Sequence, residues 1–546
     1  MLPPIPDPAD YGMSVKYGFL PDCPPLEVLP NPYYAKWEHV VCMMQPLLLS
    51  RRLHSVVDDL PVLSTRHLHT EREWRRAYVV LSFMLHGYVW GGSQPQEVSQ
   101  ADYYQYQQVA LKRRRCQVIP PQLTIPLFRV CEHLELPPVA TYSGLCLWNY
   151  KPIFADEPAD SLSNLACINT FTGSLDEQWF FLVSVAIEAR GAPSIPLMLR
   201  AISAARSDNS EQVVECLQLL AEILDAVGSV LQQMYEHCDP YVFYHRIRPY
   251  LAGSKNMGDA GLPRGLLYDD GSGRKGYRQY GGGSNAQSSL IQFFDIVLGI
   301  EHRPTGVGPS DESTTNATTA TTTNATTSDA SESAPKSRHS FIHEMREYMP
   351  GSHRRFLEHV DAVANIREYV ESHRQNTALS CAYDGCLAML RALRDKHIQM
   401  VSRYIIVKSR EARSMSPSTA AGAQQRGNAG IPAINLPITP RNDTTRGTKN
   451  LSSSSSSSKK LRGTGGTALI PFLKQARDET EEPTVNAWVR RLLRRNASSS
   501  QMVDPDDAAG SATLSKVGEN VDGHLEVVGL AGTWRADESE GGICHW

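Results

Sequence analysis

Apolar residues return every three or four positions along most of this chain. The clearest run is 211–237, EQVVECLQLLAEILDAVGSVLQQMYEH. Here Val213, Leu217, Leu220, Leu224, Val227, Leu231 and Met234 fall on one helical face. Asp239-Pro240 closes that helix and opens the next. Segments 71–90, 180–191, 287–300, 341–349, 353–373 and 377–405 carry the same spacing. Alternating strand patterns are few, and no internal repeat is visible. The pattern predicts an all-α fold.

Two stretches break the periodicity. Residues 303–337 and 409–460, the second with the serine run Ser452–Ser458, hold too few apolar residues to offset the entropy of ordering a chain. Both are expected to be disordered. The tail at 496–546 is also poorly apolar and is expected to be loose. The rest divides into a small Pro-rich helical domain at 1–150, a linker at 151–175 and a large helical domain at 176–408 that holds the first insert. After the second insert, a glycine loop and a final helix occupy 461–495.

One helix departs from its own pattern. In RALRDKHIQMVSRYI, residues 391–405, the stripe Cys386, Leu390, Leu393 runs through His397 to Met400 or Val401 and then Tyr404. An imidazole there is either a core histidine satisfied by a nearby carbonyl or an axial ligand to haem iron, its apolar neighbours lying on the porphyrin. This helix alone favours the core histidine. His67 and His69 add nothing, since a spacing of two in a polar segment is a poor helical chelate.

Charge and composition narrow the partners. The 546 residues carry 54 Lys and Arg against 58 Asp and Glu, a formal net charge of −4, which gives no whole-chain case for nucleic acid or an anionic membrane. The run Lys112–Arg115 reads as a solvated loop. No secretory signal and no apolar run long enough to span a membrane are seen, so the Asn residues of the two NATT motifs are weak glycosylation acceptors. Eleven scattered cysteines with no C-x-x-C pair fit a reduced, cytoplasmic protein. They do not fit a zinc ribbon or covalent c-type haem attachment.

Four further segments carry candidate chemistry. DEQWFFLVSVAIEARGAP at 176–193 sets two aromatics before Ser184. DPYVFYHRIRPYLAG at 239–253 sets Phe243 and Tyr244 about one turn before Arg248, so an aromatic wall and a cation can face one cavity. An unpaired buried guanidinium is costly, so Arg248 implies an anion from the protein or from a ligand. YGGGSNAQSSLIQFFD at 280–295 and RGTGGTALIPFLK at 462–474 are glycine loops that open helices. The first lacks the P-loop spacing, which argues against a nucleotide site.

Together and in this order these segments resemble the indoleamine 2,3-dioxygenase family. YGFLPD at 17–22, VLSFMLHGYVW at 80–90, LPPVATY at 136–142, WFFLVS at 179–184 and FYHRIRPYLAG at 243–253 are similar to family blocks. So are GGGSNAQSS at 281–289, REYMPGSHRRFL at 346–357, LRDKHIQMVSRYI at 393–405 and GTGGT at 463–467. The resemblance spans about 10–300, 340–408 and 460–480 and leaves out the inserts and the tail.

The resemblance implies a two-domain helical haem protein that cleaves the indole C2–C3 bond of L-tryptophan with O2. The product would be N-formyl-L-kynurenine, the first step of the kynurenine route to NAD. It implies heme b with His397 as the iron ligand, Gly283 and Ser284 at the haem edge, and Arg394 and Asp295 near the propionates and the proximal ligand. Tyr142, Phe180, Ser184, Phe243, Tyr244, Leu251 and Ser284 would surround the substrate. Arg248 would hold its carboxylate, and Thr464 would sit on a mobile loop closing over it. Ser184, Arg248 and Thr464 are the expected catalytic residues. The partners implied are an indoleamine, O2 and an external electron donor, with no nucleic acid and no membrane, for a cytoplasmic monomer. Three positions depart from the family pattern: Tyr244 where a second Phe is frequent, Leu145 where Cys is frequent, and Asn285 where Ala is common. A haem-binding sensor with little turnover is the alternative, its cue being the Ser/Thr-rich inserts, which offer phosphorylation sites.

Overall fold

The computed structural model describes residues 3–91, 117–157, 161–258, 261–273, 275–305, 341–414, 464, 469–486 and 489, together with three strands between 517 and 535. These residues are mostly helical, as the spacing predicts. Two long helices form the centre. Ser210–Gln232 and Thr377–Val401 lie side by side, and Leu175–Gly191 and Ser194–Arg206 pack against the first. All seven residues of the 211–237 stripe are buried, and so are Cys386, Leu390, Leu393, Met400, Val401 and Tyr404. Asn209 and Asn376 start the two long helices. Each side-chain oxygen accepts from the backbone N–H three residues on, at 3.1 Å in both.

Three helices are shorter than their periodicity implies. The 211–237 run gives way after Gln232 to a single turn, Met234–His237. The 377–405 run ends at Val401 and passes into a wider turn, Ser402–Val407. Residues 353–373 form two helices, Gly351–Val363 and Ile366–Ser372, because Ala364 between them is extended, with ψ 127°. The break lets the first piece pack on Ser289–Val297 and the second on Ser194–Arg206 and Thr377–Val401. One straight helix would not serve both directions.

At the N-terminal end, Ala35–Cys42, Met44–Leu49 and Leu53–Asp58 pack around Glu71–Trp90. That last helix opens with a reciprocal cap: Thr70 N–H donates to Glu73 Oε2 at 2.7 Å, and Glu73 N–H donates to Thr70 Oγ1 at 3.3 Å. Pro121–Leu134 lies along it. Residues 151–175, expected as a linker, hold a short antiparallel ladder pairing Tyr150 with Cys167, and they place Phe171 in the core. Phe171 stacks on Phe83 at 4.4 Å and on Tyr250 at 4.9 Å. One continuous apolar core therefore runs from Met13 to Ile405.

The inserts fall mostly outside the described residues, but the second begins as a helix, Lys408–Ser414, rather than as disordered chain. Lys408 and Glu411 pair there at 2.9 Å and continue the helical direction set by the preceding turn. The tail also differs from expectation. Val517–Glu519, Leu525–Gly529 and Gly532–Arg535 form an antiparallel meander. Valines favour strands, and Gly529 pairs with Gly532, a local preference that low overall hydropathy conceals. The described stretch Leu175–Arg206 is long and apolar enough to cross a bilayer, but it is two core helices and mostly buried.

Candidate active site

A cavity opens beside the last turns of Thr377–Val401. It has two adjoining lobes, one larger than the other, and His397 borders both. Three turns with i→i+5 hydrogen bonding supply the wall of the larger lobe. Ser143–Leu147 gives Leu145 and Cys146, Phe243–Ile247 gives Phe243, and Ser402–Val407 gives Tyr404 and Ile405. A widened turn admits an extra residue and re-aims the side chains that follow, which is why such turns gather at functional sites.

The re-aiming matters most at Arg248. The wide turn brings Phe243 and Arg248, five residues apart, to the same lobe. Tyr244, expected against the substrate, borders neither lobe. Its ring instead lies against the Arg248 guanidinium, 5.5 Å from ring centre to charge, within cation–π reach. Arg248 is buried, and burial pulls its pKa below the usual value against the opposing effect of Tyr244. Phe180 meets Phe243 at 4.8 Å, and Phe243 meets Tyr404 edge-on at 5.6 Å. The Tyr404 hydroxyl is fixed by donating to Cys238 O at 2.5 Å. Ser184 lies on the same wall, beside the Cys146 thiol.

His397 carries no hydrogen bond among the described residues and lines both lobes of the cavity. Burial, helped by the nearby Arg394, pushes its pKa down to about 4, so the ring is neutral at pH 7 and can donate a lone pair to a metal. The walls beside it are apolar: Val227, Leu231, Leu390, Leu393 and Val401. A neutral, unengaged imidazole between aliphatic walls fits a flat apolar macrocycle with one axial nitrogen.

The glycine loop is shaped by close backbone contact. Gly282 and Gly253 lie so near each other that a Cβ on either would collide with backbone. A Cβ on Gly283 would stand 2.5 Å from Leu145 Cδ1. Thr464 docks on this loop: its hydroxyl donates to Gly283 O at 2.7 Å, and its carbonyl accepts from Gly282 N–H at 3.1 Å. Ser284 begins the next turn by accepting from Ala286 N–H at 3.3 Å.

An ionic cluster closes the smaller lobe. Arg394 donates to Asp295 Oδ1 at 2.5 Å and also to the Thr480 hydroxyl. His302 bridges Asp295 Oδ2 at 3.0 Å and Glu479 Oε2 at 2.7 Å. The cluster fastens Leu469–Glu479, whose Leu469, Phe472 and Leu473 border the larger lobe, to the histidine helix. Asp295 stays charged because Arg394 and His302 outweigh the effect of burial.

The family model for indoleamine 2,3-dioxygenase matches residues 7–483. The chain belongs to the indoleamine 2,3-dioxygenase family. It is an enzyme, an oxidoreductase of the dioxygenase class, from a haem-dependent family that acts on indoles. It is 38% identical over 487 residues to an indoleamine 2,3-dioxygenase of Saccharomyces cerevisiae, covering 87% of this chain and 93% of the yeast protein. It is 36% identical over 480 residues to indoleamine 2,3-dioxygenase acdA of Aspergillus candidus, covering 86% of this chain and 96% of that one. A 6-hydroxytryptophan 2,3-dioxygenase of Fusarium equiseti is 32% identical over 472 residues, covering 86% of this chain and 96% of that one.

Twelve expected site residues border the cavity. Tyr142, Phe180, Ser184, Phe243, Arg248, Leu251, Gly283, Ser284, His397 and Thr464 line the larger lobe; Asp295 and Arg394 line the smaller. Sequence reasoning missed His302, Glu479 and the buried Glu188 behind Tyr142. His302 in GIEHRP and Glu479 in RDETEE sit in polar contexts with nothing local to link them.

Proposed function

We propose that this indoleamine 2,3-dioxygenase family member opens the indole ring of L-tryptophan with O2 to give N-formyl-L-kynurenine, feeding NAD synthesis. One observation carries this reading: Arg248 and His397 face a single cavity with aromatic and aliphatic walls. His397 would hold heme b from one side, with Gly283 and Ser284 at its edge and Arg394 and Asp295 at the propionate end. Bound haem supplies the iron centre for the O2 chemistry.

The protein's own part is binding, orientation and exclusion of water. Arg248 clamps the substrate carboxylate, and a forked guanidinium fixes both position and rotation. Phe180, Phe243, Tyr142 and Leu251 confine the indole, and Ser184 offers a hydroxyl beside it. Holding the ring in register converts an encounter into a near-unimolecular step, worth up to about 7–11 kcal/mol. Thr464, joined to the glycine loop, closes the mouth. The working protein is a cytoplasmic monomer supplied by an external reductant.

The deciding experiment loads the full chain with haem, reduces it and supplies L-tryptophan under O2. A Soret band and N-formylkynurenine are expected. A purified protein that takes up no haem would overturn the reading. A 6-hydroxytryptophan substrate is the second reading, favoured by the Fusarium relative and by the Ser184 hydroxyl on the cavity wall. A higher kcat/KM for 6-hydroxytryptophan than for tryptophan would select it.

A further inference from the structure

Behind Tyr142, one turn along the helix from Ser184, lies a carboxyl group that the proposed reaction does not use. Glu188 is 1% exposed. Its Oε1 accepts two hydroxyls, Ser288 at 2.6 Å and Tyr142 at 3.0 Å. Its Oε2 is buried and has no hydrogen-bond partner among the described residues, and none of their cations pairs with it. A charged carboxylate here gives up its hydration for two hydroxyls on one oxygen, so ionisation is only weakly supported.

The two donors are not bystanders. Tyr142 borders both lobes. Ser288 borders the smaller lobe and caps Ser289–Val297, accepting from Ile291 N–H at 3.3 Å. That helix carries Asp295, the partner of Arg394. Burial pushes the Glu188 carboxyl up to about 7, with Ser288 and then Tyr142 pulling the other way. The other titratable groups facing it stay neutral near pH 7. Burial, reinforced by the Glu188 charge, pushes the Tyr142 phenol well up; the Cys146 thiol is raised in the same way.

We propose that Glu188 is a proton-holding positioning residue: the carboxyl takes up or releases one proton, and the charge on the group sets how firmly Oε1 holds the Tyr142 and Ser288 hydroxyls behind the cavity wall. Hydrogen bonds to an ionised acceptor are roughly twice as strong as neutral ones. The wall is therefore firm above the transition and slack below it. Tyr142 touches the indole in the proposed function, so substrate affinity follows the same transition.

The test uses the full-length protein and has two arms. The first is the infrared carboxyl band, titrated with pH and isolated by subtracting the spectrum of Glu188→Gln. A band that fades with a midpoint near pH 7 is expected. In Tyr142→Phe, which removes one donor from the charged form, the midpoint should rise by about one pH unit. No titrating band near neutrality, or a midpoint unmoved by Tyr142→Phe, overturns the proposal. The second arm, which rests on the tryptophan reading, is the pH profile of KM. KM should rise severalfold on acidification through the same midpoint while kcat changes less, and Glu188→Gln should flatten the profile. Equal KM profiles in the two proteins also overturn it. If no tryptophan is turned over, the function fails separately and the infrared arm decides for Glu188 alone.

Discussion

Asp295 and His302 meet at 3.0 Å, while the other oxygen of the same carboxylate takes Arg394 from the helix that bears His397. Burial alone would lower the His302 pKa. The charge of Asp295 and the hydrogen bonds to Asp295 and Glu479 outweigh it and raise the value above the ordinary one. A raised folded pKa means that the bound proton stabilises the fold. That contribution is complete below the unfolded value, near 6.5, and is lost as pH rises through the higher folded value. His302→Gln should therefore cost about 1–3 kcal/mol at about pH 6 and clearly less at about pH 9. Urea unfolding at the two pH values measures this, and an equal loss at both would exclude a protonated bridge.

Arg248 is expected to act on the substrate carboxylate and not on the indole. Arg248→Ala should cut kcat/KM for L-tryptophan by about 30-fold or more, equivalent to about 2 kcal/mol or more. Tryptamine, which lacks the carboxylate, should lose much less. Equal losses for the two substrates would remove the clamp.

His397→Ala should abolish haem retention while leaving the helical circular dichroism intact. The loss should exceed the roughly 10–100-fold that changes beyond the ligand shell cost. Haem content per protein, read from the Soret absorbance, is the measurement. Full retention of haem would assign the axial nitrogen elsewhere.

The glycine loop makes a packing prediction. Gly283→Ala puts a methyl group 2.5 Å from Leu145 Cδ1 and should destabilise the protein by about 1–3 kcal/mol. Leu145→Ala carries its own cavity cost but clears the clash, so the double variant should lose clearly less than the sum of the two single variants. Thermal unfolding of the single and double variants tests this, and strict additivity would place the strain elsewhere.

Periodicity was enough to read the helices whose stripes bury in one direction. Val213 through Met234 and Cys386 through Tyr404 lie where a 3.6-residue repeat puts them, because a face packed against one neighbour leaves its rhythm in the sequence. The Ala364 break was hidden for a related reason: its two halves keep the same rhythm while facing different neighbours. Pro121–Leu134 was obscured by Pro126 within it. At the site, His397 and Arg248 stood out as polar residues where burial was expected. Tyr244 does lie against Arg248, but the wide turn sets Phe243 rather than Tyr244 on the lobe that Arg248 borders, and no residue pattern records a widened turn. His302, Glu479 and Glu188 gain their meaning from partners distant in the chain, and no local pattern records such meetings.

Thr464 fixes the chain to Gly282 and Gly283 on its return to the cavity, and the Lys408–Ser414 helix fixes it on departure. Thr464 thus serves the cavity with its hydroxyl and its carbonyl at once, so one residue ties the returning chain to the glycine loop at two successive backbone groups, and a single change there would untie both.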